Sequence, residues 1–323
     1  MSDHTSTDRS EHFSNLRRLY ERRGDSARIT REDGGVRFLK VRSLAKDHLV
    51  ELCEEQGIET NGREIWELRK SLFLSEISEE RINSYIREKY ELQRQQERQE
   101  EEVIKQELQR LQTYQSSVWL GNVDSMLQRT VRRVKNLSEL EEQIQQRLLP
   151  MVSNYVKWSW YNQWTERIIG NIFTDHEEVI PTLRRVKAVD FFIRELPFDL
   201  KLTFLPKGFI EYVEGEHGST DVTEAINFAL NNPQRLAKWL YENQGPVRFD
   251  NSNRMFLVLI NVENLDESWR LKSAFDLVET RISEFLESRE EFYQVNYYYD
   301  KSDIYRGNYV ATCFVLFVLS ESS

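Results

Sequence analysis

Two stretches decide the fold: VKAVDFFI, residues 186–193, and FDLKLTFL, residues 198–205. Both are apolar, β-branched and aromatic, and RELP at 194–197 separates them. They read as two strands of a hairpin. An acid interrupts each: Asp190 in the first, Asp199 in the second, with Lys201 two residues further on. Residues two apart on a strand share a face, so Asp199 and Lys201 project together. Across a short hairpin Asp190 comes opposite Asp199. Charges in such apolar surroundings are costly unless paired or bound to a cation. An Asp–Lys bridge on an edge strand is the plain alternative.

Outward from the hairpin the pattern alternates between helix and strand. Residues 152–174 form an aromatic helix with Tyr155, Trp158, Trp160, Tyr161 and Trp164. After the hairpin come helices at 221–231 and 233–241. MFLVLINV, residues 255–262, is an apolar run of the kind buried on both faces. A long helix at 266–287 and a last buried strand at 309–319 follow. The class is α/β, a mixed central sheet flanked by helices. This unit spans 152–323.

The N-terminal half reads differently. Residues 1–35 have few apolar positions and read as a flexible tail, with a short helix over 13–19. Residues 36–75 form a compact module: an extended lead-in, a helix stopped by Gly57, a turn at Thr60-Asn61-Gly62, and a second helix with Ile65, Leu68 and Leu72. Residues 76–151 read as a helical linker. Its first helix, 78–115, carries ten consecutive polar residues, 93–102, which cannot build a core. A helix polar all round is a solvated spacer, or else the outside of a coiled coil. Gly121-Asn122 breaks it, a helix at 123–134 follows, and another at 138–149 ends at Pro150.

The chain has 323 residues, 44 basic and 54 acidic, for a formal net charge of −10. Residues 155–323 carry 18 basic and 26 acidic residues, most of the excess. That balance argues against coating nucleic acid nonspecifically. Cys53 and Cys313 exclude a disulfide scaffold and a Cys-built zinc site. No apolar run is long enough to cross a membrane, so a cytoplasmic protein without a membrane partner is expected.

Two carboxylates and a backbone carbonyl suit Mg²⁺, a hard cation that keeps several waters. Bound there, it polarises a phosphoryl oxygen and acidifies its water. A lysine beside it orients the attacking water or offsets phosphate charge.

Asp190 with Asp199-Leu200-Lys201, on adjacent strands after a long helix, resembles the PD-(D/E)XK nuclease superfamily. The resemblance covers about 155–323. It implies a restriction-endonuclease-like core, with Asp190, Asp199 and the Leu200 carbonyl as ligands of Mg²⁺ (or Mn²⁺). It makes Lys201 the catalytic lysine, alongside Asp190, Asp199 and a helix acid, Glu166. Val189 stands where Pro is usual. Residues 38–72 resemble the SAP motif, a DNA-binding helical pair, in Leu39-Lys40-Val41, Leu49, Leu52, Gly57-Ile58, Thr60, Gly62 and Leu68. The resemblance implies Lys40, Arg42, Lys46, Arg63, Arg69 and Lys70 as phosphate ligands. Arg270 and Lys272, at the start of a helix, are further DNA-binding candidates.

The expectation is a Mg²⁺-dependent endonuclease of double-stranded DNA, in restriction or anti-phage defence. It would work as a homodimer or higher oligomer, with a partner protein docking on the helical region. A catalytically silent DNA-binding or scaffold subunit is the alternative, and an RNA-cleaving toxin a third reading. His176 reads as a loop residue. Ser219, His217 and Asp221 are close in sequence but are not a triad, because triads are built by geometry.

Overall fold

The computed structural model describes residues 3–23, 25–111, 130–218, 221–246 and 249–320. Six strands form one mixed sheet: β1 (Val179–Val186), β2 (Val189–Ile193), β3 (Leu196–Phe204), β4 (Arg254–Ile260), β5 (Tyr293–Tyr299) and β6 (Gly307–Leu319). Their order is β1-β2-β3-β4-β6-β5. β3, β4 and β6 are parallel, whereas β1–β2, β2–β3 and β5–β6 are antiparallel.

Every residue of β4 is buried, because β4 lies between β3 and β6 with helices over both faces. One face carries Met255, Leu257 and Leu259 against α8 (Leu149–Asp175) and α12 (Phe275–Ser288). The other carries Phe256, Val258 and Ile260 against α9 (Lys207–His217), α10 (Val222–Asn231) and α11 (Pro233–Glu242).

The hairpin differs from its expected form. Residues 186–193 are not one strand: β1 ends at Val186, the chain turns at Lys187-Ala188, and β2 begins at Val189. Ala188 has φ 60°. The next turn is Arg194-Glu195 alone, with φ 50° and 62°. Positive φ at both central residues matches the right-handed twist of the flanking strands. Neither turn carries the Gly or Asn that would have marked it. β1, β5 and α9 were not anticipated. In β5, Val295, Tyr297 and Tyr299 point inward and alternate with Gln294, Asn296 and Tyr298.

The expected helix at 266–287 divides into a 3₁₀ segment, Leu265–Ser273, and α12. The helix expected to stop at Pro150 does not. α7 (Leu137–Gln143) passes through a π-helical turn, Ile144–Leu148, directly into α8. The wider turn just before Pro150 makes room for a ring that lacks an N–H. Most of the expected 123–134 helix lies outside the described residues.

The N-terminal region is not a tail. α1 (Asp3–Arg23) and α2 (Ser26–Arg31) are helical. Phe13 and Leu16 are buried with Phe38, Val186, Val189 and Phe192. The few apolar residues of α1 fall at helical spacing, so one thin stripe suffices to dock it.

The module consists of α3 (Gly35–Arg42), α4 (Lys46–Glu55) and α5 (Ile65–Leu74). Its lead-in is helical rather than extended. Gly57 and Gly62 have φ 67° and 70°, a conformation that favours Gly where the chain leaves α4 and turns.

α6 (Glu79–Leu111) is not a free stalk. Ile82, Tyr85 and Ile86 belong to the module core, and Leu108 to the main core. Between them polar contacts dock the helix. Arg94, 1% exposed, donates to the Asp175 carboxylate at 2.8 and 2.7 Å and pairs with Glu101 at 2.9 Å. Arg87 donates to the Thr174 carbonyl, and Asn171 to Glu101. A sequence that cannot build an apolar core here builds a charged one.

Candidate functional site

The β2–β3 ladder pairs Phe191 with Phe198, Phe192 with Pro197 and Ile193 with Leu196. Continuing that register by one sets Asp190 opposite Asp199, and there the backbone pairing stops. The Asp190 Oδ2 accepts the Leu200 N–H at 2.8 Å, so a carboxylate stands where a strand carbonyl would be. The Asp199 N–H donates to the Asn253 carbonyl on the β4 side at 2.9 Å. Strand alternation therefore turns the amide and carbonyl of Leu200 towards β2.

Asp199 is 8% exposed. Its Oδ2 receives Lys201 Nζ at 2.7 Å and Ser252 Oγ at 3.3 Å, with Arg254 Nε at 3.7 Å. β4 supplies Arg254 directly beside Asp199 in register. Arg254 also pairs with Asp250 at 2.9 Å, bonds Gln244 and lies 5.0 Å over the Tyr241 ring.

Asp190, Leu200 and Lys201 line a groove of about 630 Å³, whose walls come from α6 and α8. Glu166 on α8 lines the same groove, so the structure brings it near the hairpin. Its carboxylate receives Lys272 Nζ at 3.3 Å, and Lys272 also bonds Asn162 Oδ1 at 2.8 Å.

Enclosure by protein, and then the negative charge of Asp199, push the Asp190 carboxyl up to about 6. Burial also raises Asp199, opposed by the charges of Lys201 and Arg254. Burial lowers Lys272, opposed by Glu166. A carboxyl raised by a second acid beside it is a place where a cation is favoured.

The described residues contain no group of three or more metal-ligating side chains. They offer two carboxylates and one carbonyl. The Oδ1 atoms of Asp190 and Asp199 have no hydrogen bond to a described residue. Asp190 and Leu200 line the groove and Asp199 lies buried beside Lys201; two carboxylates with a carbonyl suit Mg²⁺, which takes few protein ligands and keeps its waters.

Several expected DNA contacts are placed elsewhere. Lys40 is 0% exposed; its ammonium pairs with Glu195 and, at 3.6 Å, with Glu79. It clamps the module to the hairpin turn instead of facing solvent. Arg69 is buried and donates to the Leu44 carbonyl at 3.3 Å. Lys272 is buried at Glu166. Arg63 is half-buried and donates to Ser71 Oγ at 2.8 Å. Arg270 pairs with Glu267 and lies 4.6 Å over the Trp269 ring. Lys46 is exposed, and Arg42 and Lys70 are partly so.

His176 caps α8 and accepts the Glu178 N–H. Asp221 caps α10 through the Thr223 N–H at 2.9 Å, and Ser219 lies outside the described residues.

Sequence reasoning missed Arg254, Ser252 and Asp250. The signal was present: DNSNR, residues 250–254, is a polar run leading straight into a fully apolar strand. An arginine opening a buried strand must find a carboxylate. Among the described residues no helix is long and apolar enough to cross a membrane. Comparison with protein-family models, with curated proteins and with solved structures finds no match.

Proposed function

We propose that the chain is a Mg²⁺-dependent endonuclease acting on double-stranded DNA. One observation carries the reading: Asp190, Leu200 and Lys201 line one groove at the point where the hairpin ladder breaks. Asp190 and Asp199 would hold the metal with the Leu200 carbonyl. The metal would supply Lewis acidity at the phosphoryl oxygen and an acidified water. Lys201, held at 2.7 Å by Asp199, places a fixed positive charge where negative charge develops on the phosphate. Glu166, on the groove's α8 wall, pairs with the buried Lys272 behind it. The module's exposed Lys46 and partly exposed Lys70 would meet the DNA backbone. A cytoplasmic defence role rests on the association of such a module with such a core, not on chemistry.

The second reading is a catalytically silent DNA-binding subunit. It is favoured by the two cations, Lys201 and Arg254, that already flank Asp199. Incubating supercoiled plasmid with the protein in Mg²⁺, Mn²⁺ and EDTA separates the two. Cutting in Mg²⁺ that stops in EDTA and in Lys201→Ala supports the enzyme. Intact plasmid under every metal, with the protein folded and binding DNA, supports the silent subunit.

A further inference from the structure

A cavity of about 1190 Å³, larger than the hairpin groove, opens at the carboxyl ends of β3 and β4. These strands are parallel neighbours. The chain leaving β3 enters α9, which packs on the face of Phe256, Val258 and Ile260. The chain leaving β4 enters the 3₁₀ segment, whose Trp269 and Leu271 pack on the opposite face with Met255 and Leu257. Parallel neighbours whose connections part to opposite faces leave a crevice between them, the usual place for a ligand in an α/β sheet. Its volume is on the scale of a small-molecule site.

One wall is aromatic. Trp158 and Tyr161 of α8 and Trp269 meet edge to face, with ring centroids 5.5, 4.7 and 5.7 Å apart. Ile210 continues the apolar lining, and Val222 and Val262 in it stay exposed. The charged lining is five carboxylates against two ammonium groups. Both ammonium groups are engaged: Lys272 with Glu166 at 3.3 Å, and Lys207 with Asp266 at 3.5 Å. Glu211 and Glu214 on α9 and Glu263 after β4 have no ion pair with a described residue. Their charge turns away an anion. Nor do they converge on one metal ion, since no group of three metal-ligating side chains exists among the described residues. They fit positive charges spread along an extended apolar body, and an ammonium also gains from the face of a tryptophan.

We propose that this cavity binds an aliphatic polyamine, a methylene chain carrying two or more ammonium groups. One ammonium pairs with Glu211 and Glu214 from α9, and another with Glu263 from the β4 connection. The methylenes between them cover Ile210, Val222 and Val262, apolar surface that water otherwise meets. Glu166 and Leu202 line both this cavity and the hairpin groove, yet polyamine binding needs neither DNA nor cleavage there.

The probe is spermidine, titrated calorimetrically into the full chain in metal-free buffer at fixed ionic strength. One variant combines Glu211→Gln with Glu263→Gln, both exposed positions. A control of the same net charge combines Glu59→Gln with Glu100→Gln, exposed carboxylates outside the cavity lining. Spermidine should bind saturably, one to one. The cavity variant should weaken it by about tenfold or more, since one exposed ion pair is worth up to about fivefold. The control should bind as the wild type does. Thr223→Lys, which sets a competing ammonium in the exposed lining, should weaken binding without removing an acid. n-Butylammonium, with a single charge, should bind about tenfold more weakly than spermidine. Three results would each overturn the proposal. They are no saturable binding, an equal loss in the cavity variant and the control, and n-butylammonium or equimolar Mg²⁺ binding as tightly as spermidine. The second means diffuse attraction to an acidic surface, and the third a site for a simple cation.

Discussion

The Asp190 carboxylate accepts the backbone N–H of Leu200 at 2.8 Å, in the place of a strand carbonyl. That bond holds the end of the β2–β3 ladder open. It also fixes one oxygen of Asp190 and leaves the other without a hydrogen bond to a described residue. Asn at 190 keeps an acceptor for Leu200 and removes the charge. Asp190→Asn should therefore fold and melt at or above the wild-type temperature, with plasmid cleavage down at least about a hundredfold, the scale of losing one electrostatic contact to a transition state. Cleavage at the wild-type rate would remove Asp190 from the site.

The raised Asp190 carboxyl gives a pH dependence with a definite sign. Its folded value, about 6, lies above the ordinary value near 3.9. Between the two the folded chain holds a proton that the unfolded chain has released. The associated stability is present below the unfolded value and is lost as pH rises through about 6. Mg²⁺ needs the ionised form, so Mg²⁺ binding and cleavage should rise over the same interval. Unfolding midpoints without Mg²⁺ should fall from pH 4 to 7 relative to those of Asp190→Asn. Parallel pH curves for the two proteins would place the titration elsewhere.

Arg254 sits between Asp199 and Asp250 and is 4% exposed. Removing one partner of a buried ion pair leaves the other charge uncompensated, at a cost of about 3–5 kcal/mol. Arg254→Met fills similar volume without charge. We expect it to lose that much in urea unfolding, and more as pH rises and the Asp199 and Asp250 carboxyls ionise without their cation. A loss under about 1 kcal/mol, the scale of a surface pair, would mean that Asp199 is satisfied by Lys201 alone.

The central strands were legible because their apolar runs have no alternative. β4 and β6 are buried whichever way the surrounding helices pack. The pairing of Asp190 with Asp199 was legible from their spacing across a hairpin. β1 was not, because VIPTLRRV contains a proline and two arginines and lacks a strand's usual marks. Its neighbour β2 supplies the ladder that the local sequence does not advertise. The two turns were hidden for the same reason: Ala188, Arg194 and Glu195 take left-handed φ without glycine. The run DNSNR marked Arg254 as a residue in need of a carboxylate, but not which one, because its partners come from three places in the chain. Lys40 misled because a basic residue in a DNA-binding pattern reads as exposed, whereas the hairpin turn brings Glu195 onto it.

The docking of α6 makes the last prediction. Residues 93–102 read as a solvated spacer, yet Arg94 is almost fully covered and joins Asp175 of α8 to Glu101 of its own helix. Tyr90 reinforces the joint, bonding Asp175 at 2.9 Å. α6 also forms a wall of the hairpin groove through Tyr90, Arg94 and Glu97. Arg94→Leu removes the central cation and leaves Asp175 and Glu101 facing an apolar side chain. It should lower stability by about 3–5 kcal/mol and speed amide exchange along 87–105, while exchange in β4 changes only as far as global stability does. A spacer helix in solvent would show neither effect, since an exposed ion pair is worth at most about 1 kcal/mol. If the helix loosens, the groove loses a wall, and cleavage should fall even though no hairpin residue has changed.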